Sequence, residues 1–101
     1  MQPAHPPEFS REHGCTEAEW LAWLPAAVNG RPWQQPAPGQ ARVPLAGGAL
    51  HLAWQALPER RIALVRLPRL QVHYRFEPGI ADAERQAFMR YFDLYLQRGG
   101  G

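Results

Sequence analysis

The sequence has little of several residue types on which whole classes of protein depend. Cys15 is the one cysteine among 101 residues, so the chain cannot form an internal disulfide and has no tetracysteine or Cys/His zinc spacing. No apolar run approaches the ~18 residues that a membrane-spanning helix needs, and no charged segment followed by an apolar run predicts a signal peptide. These absences predict a cytoplasmic protein with no membrane partner.

Serine and lysine are scarce as well. Ser10 is the single serine, and no Gly-x-Ser-x-Gly motif is present, so the sequence predicts no serine hydrolase. All 11 basic residues are arginine, which binds phosphate and carboxylate bidentately, although a GC-rich genome produces the same bias. The net charge of +2 is too small to indicate a strongly basic protein.

Potential metal ligands are few. His5, His13 and Cys15 form the one group that suggests a soft metal, but a coordinated site needs three or four converging ligands. We therefore predict no metal and no cofactor. The position of Cys15 before a helix start favours a thiolate, although a plain structural position beside the helix cap explains it better.

Proline, by contrast, is abundant, with 11 residues, about twice the average frequency. Three of the prolines fall within residues 1–14, which have no apolar period and are predicted to be a flexible arm. Residues 31–40 hold three more and are predicted to be a loop. The remaining residues, 15–101, are predicted to form a single α+β domain.

A first helix is predicted after Thr16. Thr16 and Glu19 have the spacing of a capping box, in which each side chain binds a backbone N–H at the helix start. Pro25 lacks an N–H and is predicted to kink or end the helix near Leu24. The apolar stripe of this helix is Trp20, Trp23, Leu24 and Ala27.

Between residues 41 and 76 the apolar period changes from 3.6 to 2. Turn signals at 46–49, 57–60 and 67–70 divide the segment into four strands. The registers that these turns impose agree with one another, and they collect one apolar face. That predicted core face consists of Val43, Leu45, Leu50, Leu52, Trp54, Ala63, Val65, Leu67, Leu70, Val72, Tyr74 and Phe76.

A second helix is predicted from Asp82, and Arg98 and Gly99 suit its end. The tail QRGGG is predicted to be flexible. The apolar stripe of this helix is Phe88, Met89, Phe92, Tyr95 and Leu96. The complete prediction is an α+β two-layer sandwich of element order α-β-β-β-β-α, with two helices on one face of a four-stranded antiparallel meander.

The opposite face of this predicted sheet is the candidate binding surface. It combines basic groups with an aliphatic pair, and its residues are Arg42, His51, Ile62, Leu64, Arg66, Gln71, His73 and Arg75. Three interpretations stay open: a plain solvent face, an association surface for a protein partner or a second copy, and a platform for nucleic acid or a small anion. The aromatic residues fall on the core side, which counts against base stacking.

Asp93 places a charge in the second half of an apolar-rich helix, so it is expected to pair with another side chain. Arg90 and His73 are the candidates, while a solvated carboxylate paired with Arg90 or Gln97 is the plainer interpretation. An enzyme centred on Asp93, His73 and Arg90 requires that these three side chains converge in one cleft.

The segments ALVRLPRLQVHYRF and FDLYLQRGG resemble those of small bacterial proteins of the conserved-hypothetical kind. The resemblance spans most of residues 16–101 and implies a bacterial, cytoplasmic protein, but no catalytic or binding residue. The leading hypothesis is a non-enzymatic protein-interaction module that uses the sheet face. Binding of an anion or nucleic acid through the same face is the alternative, and a small enzyme is the third hypothesis.

Overall fold

The computed structural model describes residues 5–99. Its elements are β1 (Glu8–His13), α1 (Glu17–Ala27), β2 (Gln40–Leu45), β3 (Gly48–Ile62), β4 (Val65–Phe76) and α2 (Asp82–Gly99). The strands form one antiparallel sheet in the order β1-β4-β3-β2, and both helices pack against one face of it. The predicted class, α+β with a four-stranded antiparallel sheet and two helices, is confirmed.

Strand β1 corrects the expectation of a flexible arm. Residues 8–13 pair with β4 from Glu8 opposite Arg75 to His13 opposite Leu70. Phe9 holds the strand in place by stacking on Tyr74, with 4.7 Å between the ring centroids. Because Phe9 is the one large apolar residue of the segment, the sequence offered no apolar period there, and the strand depends on its contacts with β4.

Strands β3 and β4 replace three of the four predicted strands. The turns predicted at 57–60 and 67–70 do not form, and one turn at Ala63 and Leu64 joins the two long strands. A register shift between Leu57 and Arg60 marks a β-bulge where the first of these turns was expected. The segment therefore supplies three strands, β1 supplies the fourth, and the element order is β-α-β-β-β-α.

The first hairpin turns one residue earlier than predicted. Leu45 pairs with Gly48, so Val43 lies opposite Leu50. The register differs from the predicted one by two residues, which leaves every side chain on its predicted face because the side-chain period of a strand is two. Gly47 is required in this turn, because its φ is +89° and a Cβ would overlap the Gly79 carbonyl.

The core lies between the sheet and the helices. Trp20 of α1 contacts Trp54 and Phe92 edge-on, at 5.7 and 5.9 Å between ring centroids. Nine of the twelve predicted core-face residues are buried: Val43, Leu45, Leu50, Leu52, Trp54, Leu70, Val72, Tyr74 and Phe76. Val65 and Leu67 are exposed instead, because without a turn at 67–70 they fall on the helix-free side of β4, and Ala63 lies in the turn that joins β3 to β4.

The helices begin as predicted and end later. The capping box forms, since the Glu19 N–H donates to Thr16 Oγ1 at 3.1 Å and the Thr16 N–H donates to Glu19 Oε1 at 2.9 Å. Pro25 does not end α1, which continues to Ala27. Helix α2 continues through Gly99, so the predicted stop is wrong, and residues 100 and 101 of the tail lie outside the described residues. No described helix is long and apolar enough to cross a membrane.

Candidate functional site

The predicted binding face divides into two surfaces. The first, here called the central face, lies in the middle of the helix-free side of the sheet, where residues of neighbouring strands stand side by side. From the predicted set it contains Arg42, His51, Gln71, His73 and Arg75. The second surface includes Ile62 and Leu64, at the far end of the β3–β4 hairpin. At about 3.3 Å per residue, this end lies roughly 25 Å along β4 from His73.

Two predicted members of the face lie elsewhere. Because β4 has no turn at 67–70, Arg66 shares its face with Leu70 and not with His73. Leu64 lies in the turn and is 100% exposed. Ile62 is opposite Val65 and lies on the helix-free side, as predicted.

Both imidazoles of the central face are bonded to carboxylates. His51 Nε2 lies 2.6 Å from Glu77 Oε2, and His73 Nε2 lies 2.6 Å from Glu8 Oε2. The hydrogen bond with His51 is the main reason that the pKa of Glu77 lies below its ordinary value. Because β1 adds Glu8 to the row of basic groups, each imidazole of the central face is bonded to a carboxylate. Arg42 and Arg75 have no carboxylate within 4 Å among residues 5–99, so they are the free cations of this face.

The second surface belongs to a two-stranded ribbon, which we define as residues 57–69. Strand β2 pairs with β3 only as far as Ala53, and β1 pairs with β4 only as far as Leu70, so both edges of the ribbon are open. Arg61 and Arg66 are cross-strand partners on the side that continues the helix-covered face. The helix-free side and the tip, here called the apolar ribbon face, expose Ile62 (56%), Leu64 (100%), Val65 (54%) and Leu67 (41%).

The two sides of the ribbon differ in charge as well as polarity. Arg60 and Arg69 lie beside the apolar ribbon face, and both pair with Glu12 of β1, at 3.8 and 2.7 Å. The hydrogen bond from Arg69 is the main cause that lowers the pKa of Glu12. Within residues 5–99, no carboxylate lies within 4 Å of the guanidinium of Arg61 or Arg66. The unpaired cations of the ribbon are therefore on the side opposite its apolar residues.

Ser10 is a potential nucleophile that the sequence analysis missed. Its Oγ lies 2.8 Å from Nδ1 of His73, whose other ring nitrogen binds Glu8. A cleft of about 290 Å³ adjoins the pair, and it is lined by Ser10, Ala53, Trp54, Gln55, Gln71 and His73. The sequence did contain a signal, since Glu8 and Ser10 are two residues apart and would share a face in any strand.

Asp93 has a different partner from those predicted. It accepts two hydrogen bonds from Arg11, at 2.5 Å to Oδ1 and 3.0 Å to Oδ2, and His5 Nε2 lies 3.3 Å from Oδ2. The bond to Asp93 is the main cause that raises the pKa of Arg11. His73 is on the helix-free side of the sheet and Arg90 is exposed on α2, so the enzyme site predicted from these residues does not assemble.

Burial changes the chemistry of three other groups. Cys15 is 2% exposed, and burial raises the pKa of its thiol to about 11, which disfavours a thiolate and agrees with the plain structural position beside the helix cap. His13 Nε2 lies 2.8 Å from the Tyr74 hydroxyl. Burial lowers the pKa of His13 and raises that of Tyr74. Within residues 5–99, no three His, Cys, Asp or Glu side chains group as metal ligands.

Comparison with known proteins adds no assignment to this geometry. No protein-family model matches the sequence, and no curated protein matches it either. A function has to follow from the apolar ribbon face, the central face and the groups that surround them.

Proposed function

We propose that the protein associates with a second copy of itself through the apolar ribbon face. The observation that carries the proposal is the exposure of four neighbouring aliphatic side chains, between 41% and 100%, on a hairpin that extends past the helices. Single exposed apolar residues are ordinary, but a contiguous patch is typical of an interaction site. A two-stranded hairpin is also marginally stable in water, so a cover on its apolar side stabilises it.

The charge of the ribbon favours a second copy over another partner. Two identical faces can approach only if they do not repel each other. The cations beside the apolar ribbon face, Arg60 and Arg69, share the carboxylate of Glu12, which offsets half of the positive charge on this side. An acidic partner would bind on the opposite side, where Arg61 and Arg66 have no carboxylate within 4 Å among residues 5–99.

Binding of nucleic acid or another anion is the alternative, and the geometry gives it less support. Residues 57–69 contain no aromatic side chain on which a base could stack. On the central face, His51 and His73 are each bonded to a carboxylate. An anion would have to displace Glu77 or Glu8 before it could bind either imidazole.

The expected dimer is weak. Stable interfaces bury about 800 Å² on each partner, and the apolar ribbon face alone is smaller than this. We therefore expect a concentration-dependent equilibrium with a dissociation constant on the order of 10 μM.

Sedimentation equilibrium of the full chain across this concentration range tests the proposal. The wild-type protein should pass from monomer to dimer as its concentration rises. Leu64→Glu and Val65→Glu should each weaken the dimer at least tenfold, because a carboxylate at either position would be buried without a partner. Both positions are exposed in the monomer, so its fold should survive.

Leu94→Glu is the matched control, since Leu94 is 48% exposed on α2 and the substitution makes the same change of charge. It should leave the dimer intact. A wild-type chain that stays monomeric throughout, or a control that weakens association as much as the ribbon variants, would contradict self-association. Salt-sensitive binding of a mixed RNA probe by the monomer would favour the alternative.

A further inference from the structure

On the central face, Glu8, His73 and Ser10 form one chain of hydrogen bonds that ends beside an open cleft. The distances are 2.6 Å from Glu8 Oε2 to His73 Nε2 and 2.8 Å from His73 Nδ1 to Ser10 Oγ. We infer that Ser10 is the nucleophile of an acyl-transfer site for small uncharged esters, with His73 as general base and Glu8 as the residue that positions it.

The carboxylate fixes which nitrogen of His73 carries the proton. An ionised carboxylate only accepts hydrogen bonds, so the nitrogen that faces Glu8 must be the donor in the neutral imidazole. Nδ1 is then unprotonated, and the Ser10 hydroxyl donates to it. This is the arrangement that removes a proton from a hydroxyl nucleophile: a base within hydrogen-bond reach, itself oriented by a third group.

The sheet explains why these side chains meet. Glu8 and Ser10 are alternate residues of β1, and Ser10 lies directly opposite His73. The Phe76 N–H donates to the Pro7 carbonyl at 2.7 Å, so these two residues form a hydrogen-bonded pair. Because such pairs alternate with non-hydrogen-bonded ones, Glu8 and Ser10 both belong to non-hydrogen-bonded pairs. In such pairs the opposed side chains are closer, as the 2.8 Å contact of Ser10 with His73 requires.

The same alternation leaves a backbone donor beside the nucleophile. At a non-hydrogen-bonded position the N–H points away from the partner strand, and β1 is the edge of the sheet. The N–H of Ser10 therefore faces the open edge, where it can donate to the oxygen of an attacked carbonyl group. The carboxamides of Gln55 and Gln71 line the cleft and provide further polar groups for an uncharged substrate.

The reaction has two halves. Ser10 Oγ bonds to the ester carbonyl carbon while its proton moves to Nδ1 of His73, and collapse of the tetrahedral intermediate breaks the bond to the leaving oxygen, which takes that proton. Water then attacks the acyl group, losing its proton to Nδ1. The bond from Ser10 Oγ to the acyl carbon breaks, the carboxylic acid leaves, and the proton returns to Oγ.

Hydrolysis of p-nitrophenyl acetate by the full chain tests the inference. Ser10→Ala and His73→Gln should each lower the rate above buffer at least about 100-fold, the usual contribution of a positioned general base. Mass spectrometry of quenched wild-type protein should show an acetyl group on Ser10, and His73→Gln should show none. Full activity in Ser10→Ala would mean that the imidazole alone hydrolyses the ester, and would overturn the inference, as would the lack of any rate above buffer.

His51→Gln is the matched control, because His51 is bonded to Glu77 on the same face at the same 2.6 Å distance, and it should retain the wild-type rate. Leu64→Glu should also retain the wild-type rate, so a loss of ester hydrolysis can be distinguished from a loss of the dimer. For Glu8, the readout is the ¹⁵N spectrum of the His73 ring: Glu8→Gln should mix the two tautomers and lower the rate. An unchanged tautomer and rate in this variant would show that Glu8 does not position the base.

Discussion

At the scale of single residues, burial decides what the histidines of this protein can do. His13 and His73 each have a hydroxyl partner, Tyr74 for the first and Ser10 for the second, both at 2.8 Å. The side chain of His73 is 42% exposed and reaches solvent, while His13 is packed against Trp20 at 5.4 Å between ring centroids. Burial lowers the pKa of His13 and favours a neutral ring, so its role is that of a structural hydrogen-bond partner for Tyr74.

This lowered pKa predicts a pH-dependent stability. As the pH falls through 6.5, the ordinary value for histidine, the unfolded chain takes up a proton at His13 that the folded chain does not. The contribution of His13 to the free energy of unfolding is therefore complete above pH 6.5 and is lost as the pH falls toward its lower folded value. Urea unfolding of wild type and His13→Gln between pH 7.5 and 5 should show the wild-type advantage shrinking. A constant difference would contradict a buried neutral ring.

At the scale of elements, strand β1 depends on contacts with both layers. Its residues alternate: Ser10 lies on the central face, while Arg11 lies on the helix-covered side and binds Asp93 of α2. The Arg11 guanidinium also lies 5.3 Å from the Phe9 ring centroid, within the range of a cation–π contact. An edge strand is thus fastened to a helix that is more than 80 residues away in sequence.

The bond between Arg11 and Asp93 predicts that removing the charge of Asp93 destabilises the protein. Asp93→Asn should lower the free energy of unfolding by about 1–2 kcal/mol, because the pair is bidentate but still roughly a quarter exposed. Urea unfolding measures this loss, and hydrogen exchange should show faster opening of residues 8–13.

Arg90→Gln on the same helix is the control and should change stability by less than about 0.5 kcal/mol, because Arg90 is exposed. Equal losses in the two variants would contradict a specific role for the bond between Arg11 and Asp93.

At the scale of the whole molecule, the ribbon makes the protein elongated, with extents of 46 × 36 × 21 Å, and leaves sheet edges open. Prolines protect these edges. The Phe76 N–H points toward β1, and the N–H of every second residue of β4 has the same direction. Position 68 belongs to this set but lies past the end of β1, so an N–H there would face the open edge. Proline has no N–H to offer at that edge. Arg42 exchanges hydrogen bonds with Gln34 outside β2, so Pro44 faces outward in the same way.

Restoring a donor at this edge should promote strand pairing between molecules. Pro68→Thr adds an N–H and a residue that favours strands, so we expect faster growth of large aggregates, measured by light scattering. Pro36→Thr in the loop before β2 is the control. Indistinguishable aggregation of the two variants would mean that Pro68 does not guard the edge.

Local pattern by itself determined the two helices, the capping box at Thr16 and the apolar face of the central strands. These features depend on neighbouring residues and on periods of 3.6 and 2, which a chain carries wherever it folds. A register that differed by two residues did not disturb the predicted core, because Val43 and Leu50 keep their face under any even shift.

Tertiary structure decided the rest. The residues around Pro58 and Pro68 have the composition of turns, yet strand pairing kept both in strands. Without the turn at 67–70, Val65 and Leu67 fall on the helix-free side of the sheet and stay exposed. A short segment with one large apolar residue became β1 only because β4 and Asp93 bind it. That strand brought Ser10 and Glu8 to His73, so the candidate site depends on contacts more than 60 residues apart, which no local pattern encodes.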